Sequence, residues 1–123
     1  MYFEHISKLH NYFIMDLKKI NQKIKSFVKA RDWDQFHSPK NLAMALSVEA
    51  SELVEIFQWL KESDIKKVDK EKVADEIADI FFYLLRISQK MNIDIEKSFH
   101  NKMIKNIKKY PVQLSKGKSD KRY

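Results

Sequence analysis

Two pairs of carboxylates carry the chemistry that this sequence suggests. Glu49 precedes Glu52 by three residues, and Glu76 precedes Asp79 by three. Because residues three apart lie on the same side of an α-helix, each spacing puts two acids on one helix face. Carboxylates gathered beside an apolar core repel one another and lose hydration, which is unfavourable unless a cation neutralises them. The pattern therefore predicts a metal site, and with it a metal-dependent enzyme.

The segment that carries the first pair is apolar on the face where its acids fall. On a helical projection, Glu49 lies inside the stripe centred on Leu53, and Glu52 lies at its edge beside Trp59. Glu55 points away from the stripe and is expected to be solvated. Acid pairs at this spacing are common on charged helices, and Glu49 could instead pair with a buried Lys or Arg. A purely structural interpretation therefore stays open at this point.

The second pair lies on a helix that is apolar around most of its circumference. Between residues 77 and 87 the clearly polar side chains are those of Asp79, Tyr83 and Arg86. Such a helix is expected to be buried on several sides, including against a partner. Oxygen ligands favour Mg²⁺, with Mn²⁺ as a substitute. The sequence has none of the Glu-x-x-His pairs that are typical of di-iron bundles.

The periodicity of apolar residues predicts an all-α fold, a four-helix bundle with short connections. One Gly and two Pro leave few turn signals, which argues against a multi-stranded sheet. Residues 1–111 form one predicted domain, and residues 112–123 form a basic, flexible tail. The predicted elements are a helix over roughly 3–30, a loop over 31–37, a helix from Ser38-Pro39 to about Leu60, a charged connection over 61–69, a helix over roughly 70–91 that stops at Asn92, and a helix capped by Asp94 that ends at Pro111.

The net charge of +7 is concentrated near the carboxyl end of the chain. Residues 97–123 hold nine of the 24 Lys and Arg residues and one acid, Asp120. A basic segment of this kind suits an anionic ligand, and a nucleic-acid surface is the competing interpretation. Nucleic-acid binding is the less favoured of the two, because the segment is short and adjoins a nearly neutral body.

Composition also predicts where the protein acts. The chain has no cysteine, and Glu4, His5 and Lys8 interrupt any apolar run at its start. The longest apolar stretch, residues 80–85, is far too short to span a membrane. We therefore expect a cytoplasmic protein that does not associate with membranes.

Four motifs in chain order resemble a known enzyme superfamily. They read RDWDQFHSPKNL at 31–42, EASELVEIFQW at 49–59, DEIADIFFY at 75–83 and KMIKNIKKYP at 102–111. In this order they resemble the all-α nucleotide pyrophosphohydrolases of the MazG-like superfamily, and among them the dCTP pyrophosphatase branch. The wider superfamily has a further Glu beside each acid pair, where this chain has Val48 and Asp75. The Val is typical of the dCTP branch.

The resemblance implies hydrolysis of a nucleoside triphosphate between the α- and β-phosphates, which gives a monophosphate and pyrophosphate. It implies dCTP or a related pyrimidine nucleotide as substrate, without fixing the base. Glu49, Glu52, Glu76 and Asp79 would be catalytic residues that bind Mg²⁺, and Glu52 is the candidate to take a proton from water. The residues expected to bind substrate are Trp33, His37, Trp59, Tyr83, Lys102, Asn106 and Tyr110.

Other features leave three hypotheses in competition. Lys102, Lys105, Lys109 and Arg86 are candidates to neutralise the departing pyrophosphate, although surface lysines are more often simply solvated. Similar proteins are dimers or tetramers, so a homo-oligomer is expected. The hypotheses are a Mg²⁺-dependent nucleotide pyrophosphohydrolase, a nucleic-acid-binding helical module that uses the basic segment, and a structural helical oligomer with buried acid–base pairs.

Overall fold

The computed structural model of the protein describes residues 15–123, and in this part of the chain every regular element is helical. The predicted all-α class is confirmed. The start of the predicted first helix, residues 3–14, lies outside the described residues. The α-helices are α1 (Leu17–Ala30), α2 (Pro39–Phe57), α3 (Lys70–Lys90), α4 (Ile95–Lys109) and α5 (Val112–Ser115), with 3₁₀ helices at Asp34–Phe36 and Glu62–Lys67.

Side-chain caps set where the long helices begin. Ser38 Oγ accepts a hydrogen bond from the Asn41 backbone N–H at 3.2 Å, and Pro39 occupies the first turn of α2. Asp94 accepts from the Lys97 N–H at 3.0 Å and caps α4. Such caps satisfy backbone donors that have no partner inside the helix. The predicted helix starts at Ser38-Pro39 and at Asp94 are therefore confirmed.

The helix α3 lies at the centre of the described fold. Helix α2 packs along it, and α1 packs against it through a smaller contact. Ile24, Val28 and Leu85 form the buried cluster, and Leu85 is completely buried. A fully buried Leu stabilises a fold by roughly 2 kcal/mol. The central position of α3 agrees with the apolar circumference predicted for it.

The helix α4 contributes little to this core. No residue of α4 is buried, and Ile95, at its first position, packs against the cluster around Leu85. Phe99, Met103 and Ile107 follow one another at steps of four and are all exposed. Among residues 15–123, nothing therefore covers the apolar stripe of α4.

The end of the chain folds back toward the end of α4. The Arg122 backbone N–H donates to Tyr110 Oη at 3.1 Å. The ammonium of Lys109 lies 5.8 Å from the ring centre of Tyr110 and 5.9 Å from that of Tyr123. Within residues 15–123, none of the helices combines the length and the apolar character needed to cross a membrane.

Candidate active site

The packing of α2 against α3 brings the two acid pairs together. Glu49, Glu76 and Asp79 each offer a carboxylate oxygen, and these oxygens lie within 4.8 Å of one another. Glu52 stands close enough to Glu49 and Glu76 to raise the pKa of both carboxyl groups. Three oxygens at this separation have the spacing of ligands around a single cation. We call these four residues the acid cluster.

The acid cluster has polar atoms without partners. One carboxylate oxygen of Glu49 and one of Glu76, Oε2 in each case, are buried and have no hydrogen-bond partner in the part of the chain that the structure describes. Across residues 15–123 the ion pairs are Lys67–Asp64, Arg86–Asp34 and Lys90–Asp34, so none of them involves the acid cluster. The buried Lys or Arg that a structural interpretation of Glu49 needs is thus not found there.

Protonation equilibria in the acid cluster reflect this lack of countercharge. Burial, followed by the neighbouring Glu52 and Asp79, raises the pKa of Glu49 to about 7. Burial and then Glu52 raise the pKa of Glu76. A divalent cation would offset the cost of burial and of repulsion in the ionised carboxylates, because it supplies the missing positive charge and binds the unpartnered oxygens. An all-oxygen ligand set fits Mg²⁺ or Mn²⁺ rather than metals that prefer sulfur or nitrogen.

A cavity of about 360 Å³ adjoins the acid cluster. We call it the aromatic cavity, and Glu49 and Asp79 form its acidic end. Its volume falls within the roughly 300–1,000 Å³ range of small-molecule sites. Flat apolar walls of this kind suit a planar heterocycle, which can stack on aromatic rings. The other lining residues are Lys23, Ile24, Phe27, Trp33, Phe82 and Tyr83.

The aromatic walls are held by edge-to-face contacts. The ring centres of Phe27 and Trp33 lie 5.6 Å apart, and those of Phe27 and Phe82 lie 5.9 Å apart. Phe82 and Tyr83 are 5.2 Å apart and perpendicular. Burial, then the charges of Glu49 and other acids, raises the pKa of Tyr83, which keeps its hydroxyl protonated as a hydrogen-bond donor.

A second, polar cleft of about 470 Å³ begins at the other acids. Glu52 and Glu76 line it, and Lys72 brings a cationic side chain to the same cleft. Glu55, expected to be solvated, lines it as well. The acid cluster therefore borders two spaces of different character, one aromatic and one charged.

The loop that carries Trp33 is tied to α3 by Arg86. Only 5% of Arg86 is exposed, and its guanidinium donates to Asp34, to His37 Nδ1 and to Gln89. Lys90 donates to the same oxygen of Asp34 at 2.9 Å. Hydrogen bonds from Lys90 and Arg86 lower the pKa of Asp34, and burial followed by the charge of Arg86 lowers the pKa of His37. The guanidinium, a candidate to meet pyrophosphate, is thus engaged with the loop.

Several residues expected to bind substrate lie away from both spaces in the single chain. Trp59 follows the end of α2 and is 88% exposed. His37 lines neither the aromatic cavity nor the polar cleft and instead accepts a hydrogen bond from Arg86. The other three lie on α4 or just after it and line neither space either: Lys102, Asn106 and Tyr110.

A family model described as the MazG-like family matches residues 44–122. The chain belongs to the MazG-like family. The matched range contains the whole acid cluster, together with α3, α4 and α5. It begins after the loop that carries Trp33, so the family model covers the acids and the α3 wall of the aromatic cavity but neither that loop nor α1.

Individual members of the family show the same relationship over a longer stretch. The chain is 33% identical to dCTP pyrophosphatase 1 of Rattus norvegicus and 36% identical to that of Mus musculus, each over 110 residues. The alignments cover 85% of this chain and 65% of those relatives, so the chain spans about two thirds of their length. A crystal structure of a pyrophosphatase from Archaeoglobus fulgidus superposes with a TM-score of 0.74 at 36% identity, covering 80% of this chain and 94% of that one.

Part of the MazG-like site has no motif that predicts it. Lys23 and Phe27 belong to the apolar and charged pattern of α1, which indicates a helix but no function. Phe82 lies in an apolar run and reads as core. The one available signal was the closeness in sequence of Phe27 to Trp33, six residues further on.

Proposed function

We propose that this chain is a Mg²⁺-dependent nucleoside triphosphate pyrophosphohydrolase that releases a monophosphate and pyrophosphate. The observation that carries the proposal is the meeting of unpartnered carboxylate oxygens with an aromatic cavity. A nucleotide has the matching parts, a planar base and a chain of phosphates that only cations can bring beside acids. The similarity to dCTP pyrophosphatases makes dCTP or a related pyrimidine nucleotide the preferred substrate.

In this proposal the base enters the aromatic cavity and the phosphates lie along the acid cluster toward the polar cleft. Trp33 and Phe27 stack against the base, and the hydroxyl of Tyr83 donates to the sugar or the base. Lys72 is suited to meet the leaving pyrophosphate, because it brings a cation to a cleft that is lined mostly by acids.

The acid cluster has two tasks in the proposed reaction. Glu49, Glu76 and Asp79 hold Mg²⁺ with the help of Glu52. When bound, this ion neutralises the phosphates and makes the α-phosphorus more electrophilic. Glu52 lies outside the tightest group of three, which leaves it the candidate to accept the proton of the attacking water.

We infer further that the working enzyme is a homo-oligomer, a dimer or a tetramer. The exposed stripe of Phe99, Met103 and Ile107 is the kind of surface that a second copy covers. The same association would explain why Lys102 and Asn106 lie away from both cavities of their own chain. Light scattering coupled to size-exclusion chromatography tests this, and a monomer at micromolar concentration would contradict it.

The proposed activity is tested by pyrophosphate release from a panel of nucleoside triphosphates, with Mg²⁺ and with EDTA. The expected result is Mg²⁺-dependent pyrophosphate with the monophosphate as co-product, highest for dCTP or a related pyrimidine. Glu49→Gln should abolish release, while Glu62→Gln, the same change on an exposed residue outside the site, should not. If no nucleotide yields pyrophosphate, the proposal is wrong, and steep salt-dependent binding to random DNA would then favour the nucleic-acid hypothesis.

A further inference from the structure

The wall of the aromatic cavity that Trp33 forms has little apolar packing of its own. The loop over residues 31–36 is exposed, and Trp33 itself is 41% exposed. Asp32 begins the loop with a φ of 53°, in the left-handed region. The ring of Trp33 meets Phe27, and its backbone N–H donates to Val28 O at 3.1 Å. These contacts anchor one side of the loop, and another restraint is needed on the other side.

Arg86 supplies that restraint through three separate donors. Its Nε donates to His37 Nδ1 at 3.0 Å, its Nη1 to Gln89 Oε1 at 3.1 Å, and its Nη2 to Asp34 Oδ1. Asp34 and His37 are the first and fourth residues after Trp33, so these two hydrogen bonds hold the loop on the carboxyl-terminal side of the tryptophan. The guanidinium is buried, where hydrogen bonds to a charged group are stronger than in water.

The same network reaches the third wall of the cavity. Gln89 accepts from Arg86 and donates through Nε2 to Asn21, at 2.8 Å to Oδ1 and 3.3 Å to the backbone O. Asn21 precedes Lys23 and Ile24 on α1, which line the cavity. One connected set of hydrogen bonds therefore ties α1, the loop and α3, the three elements that supply the aromatic lining.

The geometry of these bonds requires an arginine. A planar guanidinium presents donors in several fixed directions, whereas a lysine offers one nitrogen on a flexible stem. Because His37 Nδ1 accepts a hydrogen bond, the imidazole is neutral and carries its proton on Nε2. The partners of Arg86 are thus fixed in both orientation and tautomer.

We propose that Arg86 is a positioning residue for recognition of the base, which holds Trp33 in place as a wall of the aromatic cavity. The inference rests on the proposed function in one respect, that the cavity receives the base. The guanidinium acts through the loop and touches neither the substrate nor the metal. It follows that losing Arg86 weakens binding of the nucleotide more than it slows cleavage.

Steady-state kinetics separate this role from a merely structural one. Arg86→Gln should raise KM for the best nucleotide by roughly tenfold to a hundredfold while kcat changes far less, because the base loses a stacking surface that contributes to binding and the reacting groups are untouched. A general loss of folded protein would instead lower kcat and leave KM unchanged. Arg86→Lys should resemble Arg86→Gln, since one nitrogen cannot meet three partners.

The matched control is Lys90→Gln, which removes the same charge beside Asp34 but leaves the three bonds of Arg86, so KM should stay within about twofold. Unchanged KM in Arg86→Gln, or wild-type KM in Arg86→Lys, would overturn the proposal.

A fluorescence experiment tests the same inference without turnover. In a Trp59→Phe background, Trp33 is the sole tryptophan. Adding Arg86→Gln should increase quenching of Trp33 by acrylamide and weaken the change in emission on titration with deoxycytidine, and adding Lys90→Gln should do neither. Equal quenching with and without Arg86 would refute the positioning role. If the wild type cleaves no nucleotide, the proposed function fails, yet this measurement still decides whether Arg86 holds Trp33.

Discussion

The acid cluster and the aromatic cavity share Glu49 and Asp79 but are held by opposite means. The acids come from two neighbouring helices at local spacings, lack countercharges and include buried oxygens without partners. The loop that carries Trp33 is held by hydrogen bonds between distant parts of the chain, in which the guanidinium of Arg86 donates to three partners. Without a cation, the carboxylates of the acid cluster repel one another. The polar groups that hold the Trp33 loop already have their hydrogen-bond partners.

This difference teaches what substitution should do in each region. In the acid cluster, where charges repel, removing one acid should stabilise the metal-free fold and abolish function. Among the hydrogen bonds of Arg86, removing a partner should weaken both the fold and the binding of a base. The family match includes all the acids but only part of the aromatic side, since residues 44–122 contain Arg86 and leave out the Trp33 loop.

The largest expected effect is that of Glu49→Gln. Activity should fall by on the order of a hundredfold or more, because a ligand at the metal site is lost. In EDTA at about pH 7 or above, the thermal midpoint should rise above that of the wild type, because a partly buried carboxylate that resists ionisation has gone. Pyrophosphate release and differential scanning fluorimetry measure the two effects. Glu62→Gln serves as control and should alter neither, while a lower midpoint for Glu49→Gln would contradict the strain described for the acids.

A smaller effect is expected from Phe27→Ala on the aromatic side. The ring meets both Trp33 and Phe82, so its loss should raise KM by about tenfold, with kcat reduced much less. Titration of initial rates against nucleotide concentration gives both constants. Met44→Ala removes an apolar side chain that is 62% exposed and lines neither cavity, and should leave KM as it is. Equal KM for Phe27→Ala and the wild type would mean that the base binds elsewhere.

The metal-free protein should lose stability as the pH rises through the titration of Glu49. In the folded state the pKa of Glu49 is raised from 4.5 to about 7, so the folded form binds the proton more tightly than the unfolded form. The contribution of Glu49 to the free energy of unfolding is therefore highest below pH 4.5 and declines as the pH rises toward 7. Thermal midpoints in EDTA should show this decline, and Mg²⁺ should reduce it because the ion favours the ionised carboxylates. A decline of the same size in Glu49→Gln would assign it to other groups.

The smallest effect, and one of opposite sign, is expected at Asp34. Hydrogen bonds from Lys90 and Arg86 hold the pKa of Asp34 below its usual 3.8, so its contribution is present above pH 3.8 and is lost as the pH falls through the lowered value. Trp33 emission followed during acid titration should report this loss, and Asp34→Asn should remove it. An identical acid transition in wild type and Asp34→Asn would show that the loop is held without this charge.

The features set by local spacing could be predicted from the sequence, and those set by long-range contacts could not. Ser38-Pro39 and Asp94 start helices through bonds to residues three positions away, so a short motif suffices to predict them. The acid pairs are local in the same sense. Arg86 reaches Asp34 across 52 residues of chain, and no pattern in either segment predicts that contact. The roles of all the predicted site residues stay predictions, and five of them line neither cavity of a single chain: His37, Trp59, Lys102, Asn106 and Tyr110.

The helix α3 carries both Asp79 and Arg86, and this has a consequence for motion. The two residues are seven positions apart, a rise of roughly 10.5 Å along a helix that contains no Gly or Pro. Such a helix bends little, so Asp79 and Arg86 keep a constant separation. Any breathing of the cavity that admits a ligand would come from the other elements that line it, which are α1, α2 and the loop that carries Trp33. Entry and exit would then follow the nanosecond-to-microsecond movements of a surface loop, while Glu76 and Asp79 stay fixed on a rigid helix.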